Sequence, residues 1–163
     1  GVMFLPHFSG STIPVPDPNS RGVFVGLRNT TTRGDMLRAV IEGLNFQFLE
    51  ILQGVQTALN VTPKKFVAVG GGAQNAFWMQ NKADMVGRPI ETPDIEEATP
   101  LGAAILAGIG VGLYADEDDA LARVYRPGKV YEPNTELTPM YAERFEIYKQ
   151  LYPATKSINH KLA

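Results

Sequence analysis

The stretch of the chain best suited to chemistry is Val67-Ala68-Val69-Gly70-Gly71-Gly72-Ala73-Gln74-Asn75. Three small apolar residues that suit a strand run into three successive glycines, and a helical pattern begins just beyond Asn75. A strand-to-helix turn without side chains lets backbone N–H groups approach a ligand closely, and the helix N-terminus adds a partial positive charge suited to a phosphate. The same pattern also makes a tight turn that holds no ligand, and the spacing alone leaves both readings open. Two phosphate motifs are excluded. No Gly-Lys-Ser/Thr follows, so this is not a Walker A loop, and counting from Gly70 puts Asn75 where the last glycine of Gly-x-Gly-x-x-Gly belongs.

Few other side chains compete for a chemical role. The chain has no cysteine and only His7 and His160, which excludes disulfides, thiolate zinc, thiol nucleophiles and a multi-histidine metal site. Asp17 could serve as a base, but Asp17-Pro18-Asn19 is a turn sequence in which the carboxylate ordinarily bonds its own backbone. Asp94, Glu96 and Glu97 could stand near magnesium through water, or lie in a solvated loop ahead of a helix. His7 is expected to be a satisfied structural histidine rather than a cleft residue. Trp78 either flanks a base or anchors its helix to a sheet, and the anchor is expected. Arg21 and Arg33 read as surface pairs, and Asp116-Glu117-Asp118-Asp119 as a helix start favoured by the macrodipole rather than a metal site.

The elements that must position these residues follow from periodicity. The chain has 163 residues and 17.8 kDa, enough for one domain, with 44% hydrophobic residues to build its core. It opens in the apolar run Val2-Met3-Phe4-Leu5, which reads as a buried strand, so a fragment with its missing part upstream is expected. Residues 7–21 are turn-rich, and residues 22–27 form a second short strand. Leu37, Val40, Ile41, Leu44, Phe48, Ile51, Leu52, Val55 and Leu59 recur at steps of three and four, the pattern of one apolar helix face. Thr32 with Asp35 resembles a capping box, Asn60 and Pro63 mark the end, and Gly43 and Gly54 are expected at tight packing contacts.

Residues 64–69 read as a strand and residues 76–86 as a helix stopped by Gly87 with Pro89 beyond. Residues 90–92 suit a short strand, and Thr99 is placed to cap a helix with Pro100 in its first turn. Residues 129–131 suit an edge strand. Tyr141, Phe145, Tyr148 and Tyr152 form an aromatic docking stripe on one final helix. Alternating strands and helices point to an α/β layered fold.

Fifteen basic and seventeen acidic side chains give a net charge of -2, which argues against a nucleic-acid partner. No apolar run nears the roughly 18 residues of a bilayer span, so no membrane partner is expected either. A cytoplasmic location is the expectation.

Several motifs together resemble the FGGY carbohydrate kinases. Gly22-x-Phe24-x-Gly26-Leu27, seven residues, then Asp35-Met36-x-x-Ala39-Val40-Ile41-Glu42 is similar to that family's second signature. Leu5-Pro6-His7-Phe8-Ser9-Gly10 leading to Asp17-Pro18-Asn19-Ser20-Arg21-Gly22 resembles the segment before it, although Ser11-Thr12 stands where members often read Glu-Arg. The Gly-Gly-Gly-Ala-x-Asn loop resembles the adenosine motif, and Ala98-Thr99-Pro100-Leu101-Gly102-Ala103-Ala104 the alanine-rich helix after it. The tail from Tyr148 to Lys156 is similar to the end of xylulokinase-like members.

The resemblance implies an incomplete actin/hexokinase-like, ribonuclease-H-like α/β domain, a mixed sheet with packed helices. Residues 1–163 would be the C-terminal nucleotide-binding part, without the N-terminal sugar-binding domain. It implies transfer of the γ-phosphoryl group of ATP, with Mg2+, to a hydroxyl of a pentulose-like sugar or a polyol. Carried over residue by residue, Gly71, Gly72 and Ala73 would line the ATP pocket with backbone, and Asn75 would contact adenine or ribose. The family's catalytic aspartate lies in a Gly-x-x-x-Asp-Gln-type stretch that this sequence lacks, so the chain alone is expected to be inactive. The full-length enzyme is expected to form a homodimer. The alternative is a kinase-like interaction module that docks a partner without catalysis.

Overall fold

The computed structural model describes residues 1–95 and 97–163. β1, Met3–Leu5, is buried along its whole length, as its apolar sequence predicts. It pairs antiparallel with β2, Val23–Val25, and the Phe4 and Phe24 rings meet at 4.3 Å across that pair. α1, Arg33–Leu59, packs on β1. It opens on the expected capping box: Thr32 Oγ1 accepts the Asp35 N–H at 3.2 Å, and Asp35 Oδ2 accepts the Thr32 N–H at 2.8 Å. Asn60 closes it in the left-handed conformation, φ 51°.

The buried face of α1 is not the predicted stripe. Ala39, Glu42, Gly43, Asn45 and Phe46 face inward, while Leu37, Val55 and Leu59 are exposed. β1 decides this. The Phe4 carbonyl lies so close to Gly43 that any Cβ there would collide with it, which fixes the side of the helix that faces the core. Gly54 has no such role, since nothing lies within 4 Å of where its Cβ would stand.

The second sheet is mixed. β3, Phe66–Val67, runs parallel to β4, Ile90–Thr92, and β4 pairs antiparallel with β5, Lys129–Tyr131. α2, Ala76–Val86, lies on the connection between the parallel strands and ends, as expected, on Gly87 at φ 67°. α3 spans Ala98–Gly110, so Thr99 falls inside its first turn and Glu97 takes the cap position without a side-chain bond. A proline in a first turn gives up no hydrogen bond, so the helix can start ahead of Pro100. α4, Glu117–Val124, opens on Asp116, whose carboxylate accepts the Asp119 N–H at 2.8 Å, and the acidic run is a helix start as read.

The aromatic stripe lies on two helices, α5, Thr138–Tyr148, and α6, Leu151–Leu162, rather than one. Tyr141, Phe145 and Tyr148 are buried around Phe46, with ring centroids 5.2 Å apart for Phe46–Tyr148 and 6.0 Å for Phe46–Phe145. Those three rings are used inside the chain's own core, which removes the aromatic support for a docking module. Tyr152, beyond the break, turns to Asp17 instead. Among the described residues no helix is long and apolar enough to cross a membrane.

Candidate functional site

At the carboxyl ends of the parallel strands β3 and β4 the chain forms a cavity of about 440 Å³. Residues 68–70 and 73–74 form one wall, residues 92–95 a second, and residues 127–129 with Tyr131 a third. Ligands of open α/β sheets settle beyond the carboxyl ends of the strands, because the loops leaving those strands converge there.

The glycine segment folds as a single 3-10 turn, Gly71–Gln74. The Ala73 N–H donates to the Gly70 carbonyl at 3.0 Å and the Asn75 N–H to the Gly72 carbonyl at 3.2 Å. At the start of the turn, the N–H groups of Gly71 and Gly72 find no backbone acceptor among the described residues, as the first N–H groups of a helical turn ordinarily do not. Gly70, at φ 87°, takes a conformation that a side chain would strain. A Cβ on Gly71 would meet nothing within 4 Å, whereas one on Gly72 would stand 3.1 Å from Cζ3 of Trp78. Glycine at 72 is therefore explained by the tryptophan, and glycine at 71 leaves an open face.

Of the four predicted site residues, Ala73 lines the cavity, and Gly71, Gly72 and Asn75 are exposed on the turn beside it. Asn75 also caps α2, its Oδ1 accepting the Trp78 N–H at 3.1 Å. That cap uses its side-chain oxygen and not its amide N–H groups. Asp94 is on the cavity wall, Glu97 precedes α3, and Glu96 lies outside the described residues. Trp78 is an anchor as expected: it packs against the cluster of Met79, Ala83, Ile90 and Tyr131 that joins α2 to the sheet, and its indole N–H also donates to Asn45 Oδ1 on α1 at 2.8 Å.

The remaining candidates are structural. His7 is buried, its Nδ1 lies 2.7 Å from Ser20 Oγ, and burial lowers its pKa against the opposing pull of the Asp17 charge. Asp17 accepts from His160 Nε2 at 2.7 Å, from Tyr152 Oη at 2.8 Å and from the Asn19 N–H at 3.0 Å. The His160 bond does most to lower its pKa to about 2, too low for a base working near neutrality. Arg21 donates to the Pro18 and Ser20 carbonyls, both at 2.9 Å, rather than to a carboxylate.

Sequence reasoning missed the third wall, Pro127, Gly128, Lys129 and Tyr131. Lys129 Nζ lies 4.4 Å from the centre of the Tyr131 ring, so the pair is held together by a cation–π contact. Alternation in a three-residue edge strand carries no sign of what lies across from it.

An α/β unit of this build is of the actin and hexokinase type. Residues 1–111 match the model for the C-terminal domain of the FGGY family of carbohydrate kinases, and the chain belongs to that family. It is 31% identical over 162 residues to a xylulose kinase of Staphylococcus epidermidis, covering 99% of this chain and 32% of that protein. It is 36% identical over 157 residues to a glycerol kinase of Bacillus subtilis, covering 96% of this chain and 31% of that one. Among solved structures, a ligand-bound xylulose kinase from Lactobacillus acidophilus superposes with a TM-score of 0.84 at 30% identity, over 99% of this chain and 33% of that one. A Plasmodium falciparum glycerol kinase with ADP superposes with a TM-score of 0.80 at 26% identity, over 94% and 30%. The chain thus spans about a third of the length of these relatives.

Proposed function

We propose that residues 1–163 form the C-terminal, nucleotide-binding part of an ATP-dependent carbohydrate kinase. The whole enzyme would transfer the γ-phosphoryl group of ATP to a hydroxyl of a pentulose-like sugar or a polyol, with the sugar held by an N-terminal domain, and would pair as a homodimer. The observation that carries this reading is the turn at Gly71, which has two N–H donors without a backbone acceptor and an open face beside the cavity. The solved glycerol kinase relative with ADP supports the nucleotide.

Phosphoryl transfer relies on positioned dipoles and on a carboxylate that takes the hydroxyl proton. The turn offers the dipoles. The carboxylate is another matter, because Asp17 is committed to His160 and Tyr152, and no Asp-Gln pair occurs in the sequence. Among the described residues no group of three His, Asp or Glu side chains is placed to hold a metal, and an Mg2+ bound with ATP would be held largely by the phosphates and water.

The test is calorimetric titration of the chain with ATP and Mg2+, repeated with Gly71→Asp. An aspartate there projects into open space, so the melting temperature stays unchanged while its charge opposes the phosphates, and affinity falls at least about tenfold, the equivalent of ~1.4 kcal/mol. Unchanged affinity in the variant rules out the turn as the nucleotide site. ATP-dependent phosphorylation of xylulose or glycerol by the chain alone overturns the expectation that it is inactive.

A further inference from the structure

Trp78 is the only tryptophan of the chain, and it holds the glycine turn from both ends. Its ring carbons Cζ3, Cη2 and Cε3 lie 3.1, 3.5 and 3.6 Å from where a Cβ on Gly72 would stand. Its backbone N–H donates to Asn75 Oδ1 at 3.1 Å, at the other end of the turn. The ring itself is held from behind. The indole N–H donates to Asn45 Oδ1 at 2.8 Å, Asn45 Nδ2 donates to Asn81 Oδ1 at 2.8 Å, and Asn81 Nδ2 donates to Tyr141 Oη at 2.8 Å.

Asn45 is fully buried, and the direction of this chain of bonds is forced. An indole can only donate, so Asn45 must present its oxygen to Trp78 and its NH2 to Asn81, which must in turn present its NH2 to Tyr141. A buried network with every member satisfied permits one arrangement, and here that arrangement ends at the ring behind Gly72. A tryptophan that only filled space would need neither the buried amide nor a glycine against its ring.

We propose that Trp78 and Asn45 are positioning residues for the glycine turn: Asn45 locks the indole, and the indole sets the shape of residues 71–75 that receives the nucleotide. The proposal rests on the nucleotide reading of this turn given above, and its test separates the two.

Trp78→Phe keeps an aromatic ring, removes the indole N–H and strands Asn45 Oδ1. Amide hydrogen exchange is then read at Ala73 and Asn75, whose N–H groups close the turn. Amides of α1 and α5 are read alongside, because a general loss of stability speeds both sets whereas a loosened turn speeds only Ala73 and Asn75. The expected result is exchange about tenfold faster at both, with MgATP affinity about tenfold weaker by calorimetry, as for a lost buried hydrogen bond. Wild-type fluorescence adds a readout that needs no variant: the sole tryptophan changes emission on titration with MgATP, with the calorimetric midpoint. Unchanged exchange at Ala73 and Asn75 in the variant overturns the positioning role, as does calorimetric binding without a change in emission. Faster exchange in the variant beside a wild-type chain that takes up no MgATP overturns the nucleotide reading and leaves the positioning of the turn standing.

Discussion

The region built from β1, α1 and α5 buries a cluster of rings, whereas the region built from β3, the glycine turn and α3 fully buries no large apolar side chain. Phe46, Tyr141 and Tyr148 are each 1% exposed, while Val67, Val69 and Leu106 are 48%, 52% and 65% exposed. α3 has the composition of a core helix, yet of its residues only Gly108 is buried. The polar groups differ as well. In the first region Asn45 and Glu42 are buried and bonded, Asn45 to Asn81 of α2 and Glu42 to Arg38 at 2.8 Å and Arg144 at 3.0 Å. In the second, the Gly71 and Gly72 N–H groups have no backbone acceptor among the described residues. The difference separates a region that buries and bonds its groups from one that leaves them accessible, as the nucleotide reading proposed above requires of it.

The most severe way to break that comparison is Phe46→Ala. Phe46 is at the centre of the aromatic cluster, so its loss leaves a cavity between α1 and α5 and should cost about 3–5 kcal/mol. Thermal or urea unfolding reads the loss directly. A cost under about 1 kcal/mol would show that the cluster is not where the stability resides.

Much of this division was legible in the sequence, and the failures have particular causes. The capping box at Thr32 and Asp35, the stop at Gly87 and the boundaries of α2 are local, and each was read correctly because its causes lie within a few residues. The glycine turn and its place after a strand were legible for the same reason. The inward face of α1 was not, because it is set by the Phe4 carbonyl, about forty residues away in sequence, and the helix alone offers two plausible stripes. Little signal existed: Glu42 and Asn45 are ordinary residues of a solvated face, and only Gly43 and Phe46 beside them favour a packed one. The third wall of the cavity comes from residues 127–131, more than fifty residues beyond the turn, and no spacing rule reaches that far.

A change at Asp17 sharpens the comparison with a smaller effect. Asp17 ties the turn-rich segment to α6 through His160 and Tyr152, on the stability side of the division. The His160 hydrogen bond, with those of Tyr152 and the Asn19 N–H, lowers its pKa from 3.8 to about 2. A carboxylate whose folded pKa is depressed adds stability above its unfolded pKa and loses it as pH falls toward the folded value. Asp17→Asn should therefore melt below the wild type near neutrality, and the gap should close as pH falls from about 4 to about 2. A gap that stays constant over that window means the ionised carboxylate is not what holds α6 to the segment.

The smallest effect is expected at Leu106→Ser, on the exposed side of α3. With 65% of Leu106 in solvent, the change removes little buried apolar area, and stability should move by no more than about 0.5 kcal/mol. The same substitution in the aromatic cluster would be ruinous, so the pair of results measures the division itself. Unfolding midpoints at two protein concentrations make the test complete. A loss above about 2 kcal/mol at Leu106, growing with protein concentration, would mean that α3 is covered by a second copy in solution and that its apolar residues contribute to stability after all.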